Sequence, residues 1–144
     1  MPTPYETDIA LWAQEQAALL DARQFDALDI PHLIEELLAV PNTNAAVISG
    51  ALFQILVHLL KWRYQPERRS HSWEVSLIEH RARVPRRLDR APSLARELPA
   101  MVTREYPGAC RKASAQTRLP LSTFPPTCPW TVAQILDFDF FPAA

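Results

Sequence analysis

The sequence predicts an all-α domain: a single-domain bundle of five or six helices spanning residues 1–144, with an extended proline-rich segment and a short C-terminal helix docked on it. Three observations predict this. The chain has two glycines, Gly50 and Gly108, against fourteen prolines, so the Asn-Gly and Asp-Gly turns that join strands into hairpins are missing. Apolar residues recur at steps of three and four rather than alternating. Each periodic run is bounded by a capping residue or a proline.

The first helix is expected over Asp8–Ala22, where Ile9, Trp12, Ala13, Leu19 and Leu20 share helical spacing and Thr7 or Asp8 can cap the first free amides. Asp29 ahead of Ile30-Pro31 is a start signal for a second, short helix carrying Leu33, Ile34, Leu37 and Leu38. Pro41 is expected to stop it. Asn42, Thr43 or Asn44 would then cap a third helix, apolar nearly all round and therefore central, which runs to about Tyr64 ahead of Pro66. A fourth follows, capped by Ser70 or Ser72. Its core stripe is Trp73, Leu77, His80, Val84 and Leu88, broadened by Val75 and Ile78, with a kink or an early end at Pro85. The fifth is expected from Ser93 to about Ala115, bent at Pro99 and Pro107. Residues 119–130 hold too many prolines for helix or central strand. After them, Thr131 to Gln134 matches a capping box, and Trp130 with Ile135 matches a hydrophobic staple. Phe138, Phe140 and Phe141 are expected to dock as a latch.

Composition excludes several functions. With two glycines the chain cannot build a glycine-rich phosphate loop, a dinucleotide fingerprint or a nucleophile elbow. Cys110 and Cys128, eighteen positions apart and without Cys-x-x-Cys partners, suit neither a zinc ribbon nor a disulfide framework. The start carries no basic and apolar signal pattern, so a cytoplasmic location is expected. The longest apolar stretch, residues 45–60, is shorter than the roughly 20 residues of a membrane span, and no membrane partner is expected.

The net charge of −1 conceals an asymmetry: residues 1–40 hold eight acids and one base, whereas residues 61–90 hold nine bases and four acids. Acidic and basic helices packing within one fold would explain it, and a basic face meeting nucleic acid is the sharper alternative. That face would comprise Arg83, Arg86, Arg87 and Arg90. A dedicated nucleic-acid domain usually has a pI above about 9, against 6.4 here, so nucleic acid ranks below a protein partner.

Chemistry-bearing residues are sparse. His32 with Glu35, and Glu67 with His71, are fragments of a carboxylate–histidine metal motif lacking their second halves, so no metal or cofactor is expected. Gly50, Gln54, His58, Lys61 and Gln65 form a polar stripe on the apolar third helix. The densest unusual stretch, His58 to Trp73, sets two tryptophans and a tyrosine among four basic side chains, where arginine can stack on indole or fork onto a carboxylate such as Glu35 or Glu36. The candidate catalytic residues are thus Glu35, Glu36, His58 and Arg69; the candidate binding residues are Lys61, Trp62, Arg69 and Trp73.

These residues also carry a resemblance. Tyr5, Asp8 and Trp12, then Ile34-Glu35-Glu36, then His58-Leu59-Leu60-Lys61-Trp62, Gln65-Pro66, Arg69-Ser70 and Ser72-Trp73, and finally Phe124-Pro125, Cys128-Pro129-Trp130 and Phe140 follow one another in the order found in the bacterial domain-of-unknown-function family number twenty-nine. The resemblance implies an all-α domain standing alone as a small bacterial protein, and no activity. A glycine common after the family's second helix is replaced by Pro41-Asn42-Thr43.

No nucleophile, base and orienter can be assembled from these residues. The functional expectation is a non-enzymatic cytoplasmic interaction or accessory module that binds a protein partner or itself. The alternatives are a small hydrolase or nuclease with a Glu/His/Arg pocket, and a weak nucleic-acid binder working through the basic helix.

Overall fold

The computed structural model describes residues 1–143. Among them there are five α-helices and no strand: α1 (Ile9–Asp21), α2 (Ile30–Tyr64), α3 (His71–Arg90), α4 (Leu98–Thr117) and α5 (Val132–Leu136). Short 3-10 turns fill most of the connections. By its contacts the chain divides into two compact units, Met1–Asn42 and Thr43–Ala144.

The largest departure from expectation is α2. Pro41 was expected to end one helix and Asn42–Asn44 to cap another, yet a single 35-residue helix runs through all of them. Proline inside a helix removes one backbone hydrogen bond and crowds the carbonyl four residues earlier, a cost of about 3 kcal/mol. Here its packing partners change at the same place, since the boundary between units falls directly after Asn42. The punctuation signal is real, but it marks a change of packing partner rather than a helix end. By length and composition alone α2 could cross a membrane. That apolarity serves its second half, where Ile48, Leu52, Ile55, Leu56, Leu59 and Leu60 have no exposed surface.

In the first unit, Asp8 caps α1 by accepting from the Leu11 amide at 3.0 Å. Only Trp12 and Gln16 of this helix are buried, while Ile9, Leu11 and Leu20 stay exposed. A helical hairpin of two short elements has little interior, so polar and aromatic contacts fasten it.

In the second unit, α2 from Ile48 onward forms one core with Leu77 and Val84 of α3, with Met101, Val102, Tyr106, Ala109 and Ala113 of α4, and with Ile135 of α5. Side chains tie the helices at their margins: Arg104 donates to Ser49 Oγ at 3.0 Å, Arg87 to Asn44 Oδ1 at 3.3 Å, and Gln65 to the Thr117 carbonyl at 3.3 Å. α3 passes Pro85 without ending. Its core stripe is Leu77, Arg81 and Val84; Val75 and Ile78, expected to broaden that stripe, are exposed because they lie outside the arc that α2 and α5 cover. Ser70 stands at the helix start, but its hydroxyl meets Ser72 rather than a backbone amide. The expected Ser93–Ala115 helix is divided: Pro92–Glu97 coils as a 3-10 turn, and α4 begins at Leu98 with Pro99 in its first turn, where a missing N–H costs nothing. α4 ends on Arg118, whose left-handed φ of 63° lets its amide bond the Ser114 carbonyl.

The tail follows the sequence closely. Tyr106 fixes the proline-rich segment by donating to the Pro125 carbonyl at 2.8 Å. Thr131 and Gln134 form the full capping box, and Trp130 and Ile135 both join the core. Arg81, 1 % exposed, donates to the carbonyls of Ile135 at 2.8 Å and Phe140 at 2.9 Å. Of the three phenylalanines expected to dock, Phe140 packs on the core and Phe141 meets Trp62 at 4.8 Å while remaining partly open; Phe138 is exposed.

Candidate functional site

The four candidate catalytic residues fall in different units: Glu35 and Glu36 in the first, His58 and Arg69 in the second. Three have local work. Glu36 accepts a short hydrogen bond from the Tyr5 hydroxyl, which holds the phenol in its neutral form with its pKa pushed up to about 12. His58 bonds the Gln54 carbonyl through Nδ1 at 2.8 Å. Arg69 was expected to fork onto Glu35 or Glu36; instead its Nε donates to the Trp62 carbonyl at 2.9 Å and its guanidinium lies 4.8 Å from the centre of the Trp62 ring. Seven residues separate Arg69 from Trp62, and the tight 3-10 turn at Pro66–Arg68 folds the guanidinium back onto the indole. Glu35 is exposed.

The candidate binding residues do form pairs. Lys61 sits 4.6 Å from the Trp73 ring centre and donates to Gln116 Oε1 at 3.0 Å, while Trp62 lies between Arg69 and Phe141. The chain is a member of the family called Domain of unknown function DUF29, which matches residues 4–141. No curated protein and no solved structure matches it.

Two surfaces of this DUF29 chain combine features that packing alone does not require. The first is the hairpin of the N-terminal unit. Its knot is polar: Trp12 Nε1 donates to Asp29 at 3.0 Å, the Asp29 amide donates to Gln16 Oε1 at 2.8 Å, and His32 Nδ1 meets Asp29 at 2.7 Å. Tyr5 stacks on His32 with ring centres 4.1 Å apart and meets Trp12 edge-on, while Thr3 donates twice to Glu15 at 2.8 Å. His32 and Glu35, three apart in the sequence, are a fragment of a metal motif from which no metal is expected. His32 is instead the centre of this knot, between Asp29 and Glu6.

That arrangement is pH-dependent, and its sign follows from the partners. The hydrogen bond to Asp29 raises the His32 pKa above 6.5, against the opposing effect of partial burial; the charges of Asp29 and Glu6 add to the rise. A raised histidine stabilises fully below its ordinary value and stops doing so as pH climbs through the folded pKa. Asp29 is pulled upward by burial, but bonds from His32 and Trp12 outweigh this and hold it below 3.8. Its contribution is lost as pH falls through that lowered value. The His32 Cε1 proton should therefore titrate by NMR with a midpoint above 6.5, and the Trp12 indole proton should exchange faster beyond that midpoint; a midpoint at or below 6.5 contradicts the knot.

Outside the knot the hairpin is apolar and open. Among the described residues, ten of fifteen exposed large apolar side chains belong to residues 1–42. Leu37 and Leu38 are 68 % and 67 % exposed, and Ile30, Ile34, Leu37, Leu38 and Pro41 make one stripe on α2. Between the helices lies a cavity of about 350 Å³ lined by Ile9, Ala13, Leu20, Leu33, Leu37 and Val40, with Glu36 beside them.

The second surface lies in the C-terminal unit, where the polar stripe of α2 meets α3 and α4. His58 and His80 hold their rings near-parallel, with centres 6.4 Å apart. Each is fixed through Nδ1 to the carbonyl four residues earlier, His80 to Ser76 at 2.7 Å. Burial, aided by Lys61, His80 and Lys112, lowers the His58 pKa, and burial lowers that of Lys61. Among the described residues no group of three or more His, Cys, Asp or Glu could hold a metal ion.

Proposed function

We propose that this domain is a non-enzymatic interaction module whose N-terminal hairpin takes up a basic amphipathic helix of a partner protein. The observation that carries the reading is the coincidence, in one unit, of an open apolar face with a charge of −7. Monomeric proteins rarely leave a large contiguous apolar patch uncovered, and such a patch commonly marks a binding surface. Two antiparallel helices leave a groove that a third helix fills with side chains at i, i+3, i+4 and i+7. Glu6, Asp8, Asp21, Asp26 and Glu35 are exposed around it and favour a cationic partner over an anionic lipid surface. A second copy would bring −7 against −7, which argues against self-association through this face.

The test uses the full chain and a fluorescent Leu/Lys amphipathic peptide about five helical turns long, with a scrambled peptide and a Leu/Glu peptide as controls. Binding in the micromolar range, weakened by salt and lost in Leu37→Asp, is the expected result. Equal binding of the scrambled or acidic peptide contradicts the proposal. So does sedimentation showing a dimer that Leu37→Asp dissolves, since the face would then belong to a second copy. Leu37 is 68 % exposed, so this substitution does not threaten the fold.

A further inference from the structure

The cluster of His58, His80, Lys61 and Lys112 presents four basic side chains from three helices. We infer that it is a binding site for a phosphate-type oxyanion.

The geometry of the imidazoles comes first. His58 Nδ1 bonds the Gln54 carbonyl and His80 Nδ1 the Ser76 carbonyl, so in each ring Nδ1 carries the hydrogen and Nε2 is left for another partner. A neutral ring offers Nε2 as an acceptor; a protonated ring offers it as a donor. Two such rings, 6.4 Å apart and 25° from parallel, repel each other when both are charged unless an anion intervenes.

The charges around them are of one sign. Beside burial, which lowers the His58 pKa, and the Gln54 carbonyl, which raises it, the charged groups acting on His58 are Lys61 on α2, His80 on α3 and Lys112 on α4, all bases. Among the described residues no carboxylate forms an ion pair with any of the four, and Glu105, on the same helix as Lys112, is paired with Arg104 at 3.6 Å. The two ammonium groups rest on aromatic rings, Lys61 on Trp73 and Lys112 on Phe53 at 5.5 Å. Cation–π contacts of this kind are worth about 0.5–2 kcal/mol and hold a lysine where no acid is present. An oxyanion would draw both ammonium groups and supply the missing negative charge. A metal ion is the poorer occupant, because two lysines would repel it.

The pH dependence follows. In the free protein, burial and the neighbouring cations hold His58 neutral at pH 7, and a bound dianion reverses the balance. Affinity then rises as pH falls from 8 toward the free His58 value, by about tenfold per pH unit for the one proton taken up on His58.

Histidine Cε1 protons are followed by NMR while inorganic phosphate is added to the full chain at low ionic strength, at about pH 7 and about pH 8. Saturable shifts at His58 and His80, about tenfold tighter at the lower pH, are expected, with His71 unmoved because it is fully exposed. Lys61→Gln with Lys112→Gln should abolish them while leaving the melting temperature nearly unchanged. Shifts shared equally with His71, or none at millimolar phosphate, overturn the site. A short DNA duplex in a parallel titration supplies the remaining outcome: if it shifts His58 and His80 where free phosphate does not, the ligand is a polyanion held by other basic residues and the proposal fails. The outcome is independent of the peptide titration, because the two surfaces share no residue.

Discussion

Deleting residues 128–144 should abolish the cooperative melt of the second unit. The deletion removes Ile135, which has no exposed surface, and with it Trp130, Val132, Leu136 and Phe140, all packed against the same core. Full burial of one aliphatic or aromatic side chain is worth about 1.5–3 kcal/mol, so one buried and four partly buried side chains are worth about 6–9 kcal/mol before the denatured chain's residual burial is discounted. Domain stabilities lie at about 5–15 kcal/mol, which makes the loss comparable to the whole. The truncated chain should aggregate, or melt broadly from low temperature, in a calorimetric scan. A soluble truncated chain with an unchanged melting temperature would show that the tail does not hold the core.

The second large effect is expected at Arg81. Methionine there keeps most of the stem's volume but leaves the Ile135 and Phe140 carbonyls without their donor. An acceptor stripped of its partner costs about 1–3 kcal/mol, partly offset because a buried guanidinium no longer has to be kept from water. The net expectation for Arg81→Met is about 2–4 kcal/mol, or roughly 10 °C in melting temperature. Arg81→Lys should fall between wild type and methionine, since one ammonium on a flexible stem cannot span two carbonyls as a planar fork does. Thermal denaturation of both variants checks the ordering. If Arg81→Met melts with wild type, the guanidinium is not what fixes α5 and the segment after it.

Arg81 also shows how much of this molecule was legible in its sequence. Position 81 lies four residues after Leu77 and three before Val84, inside the stripe that periodicity marks as core. Residue type alone argues for the surface, because arginine is almost never buried without a partner. Its partners are two backbone carbonyls more than fifty residues away, and no local pattern announces those. The capping box, staple and proline run were legible because their signals are local, all lying within residues 119–135, whereas the docking of Phe138 and Phe141, both exposed, was not. Pro41 was misread for the same reason, since the local rule is sound but the packing on either side of it is long-range information. At the candidate site, the aromatic and basic residues that the sequence sets between His58 and Trp73 pair as Lys61 with Trp73 and Arg69 with Trp62. The sequence could not say that Arg69 would choose Trp62 over Glu35 or Glu36, nor that Lys112 would join His58 from α4. His32 does carry a local signal: Asp29 lies three residues before it, and an acid at that spacing reaches an imidazole.

Amide hydrogen exchange across the N-terminal unit, with and without the saturating basic amphipathic peptide, bears most directly on the docking role. Alone, α1 and residues 30–41 of α2 should exchange quickly, since only Trp12 and Gln16 are buried there. With peptide bound, protection should rise over Ile9–Asp21 and residues 30–41 and leave α3 and α4 as they were. Unchanged exchange over those two stretches, or new protection confined to α3 and α4, contradicts a partner helix seated in the hairpin.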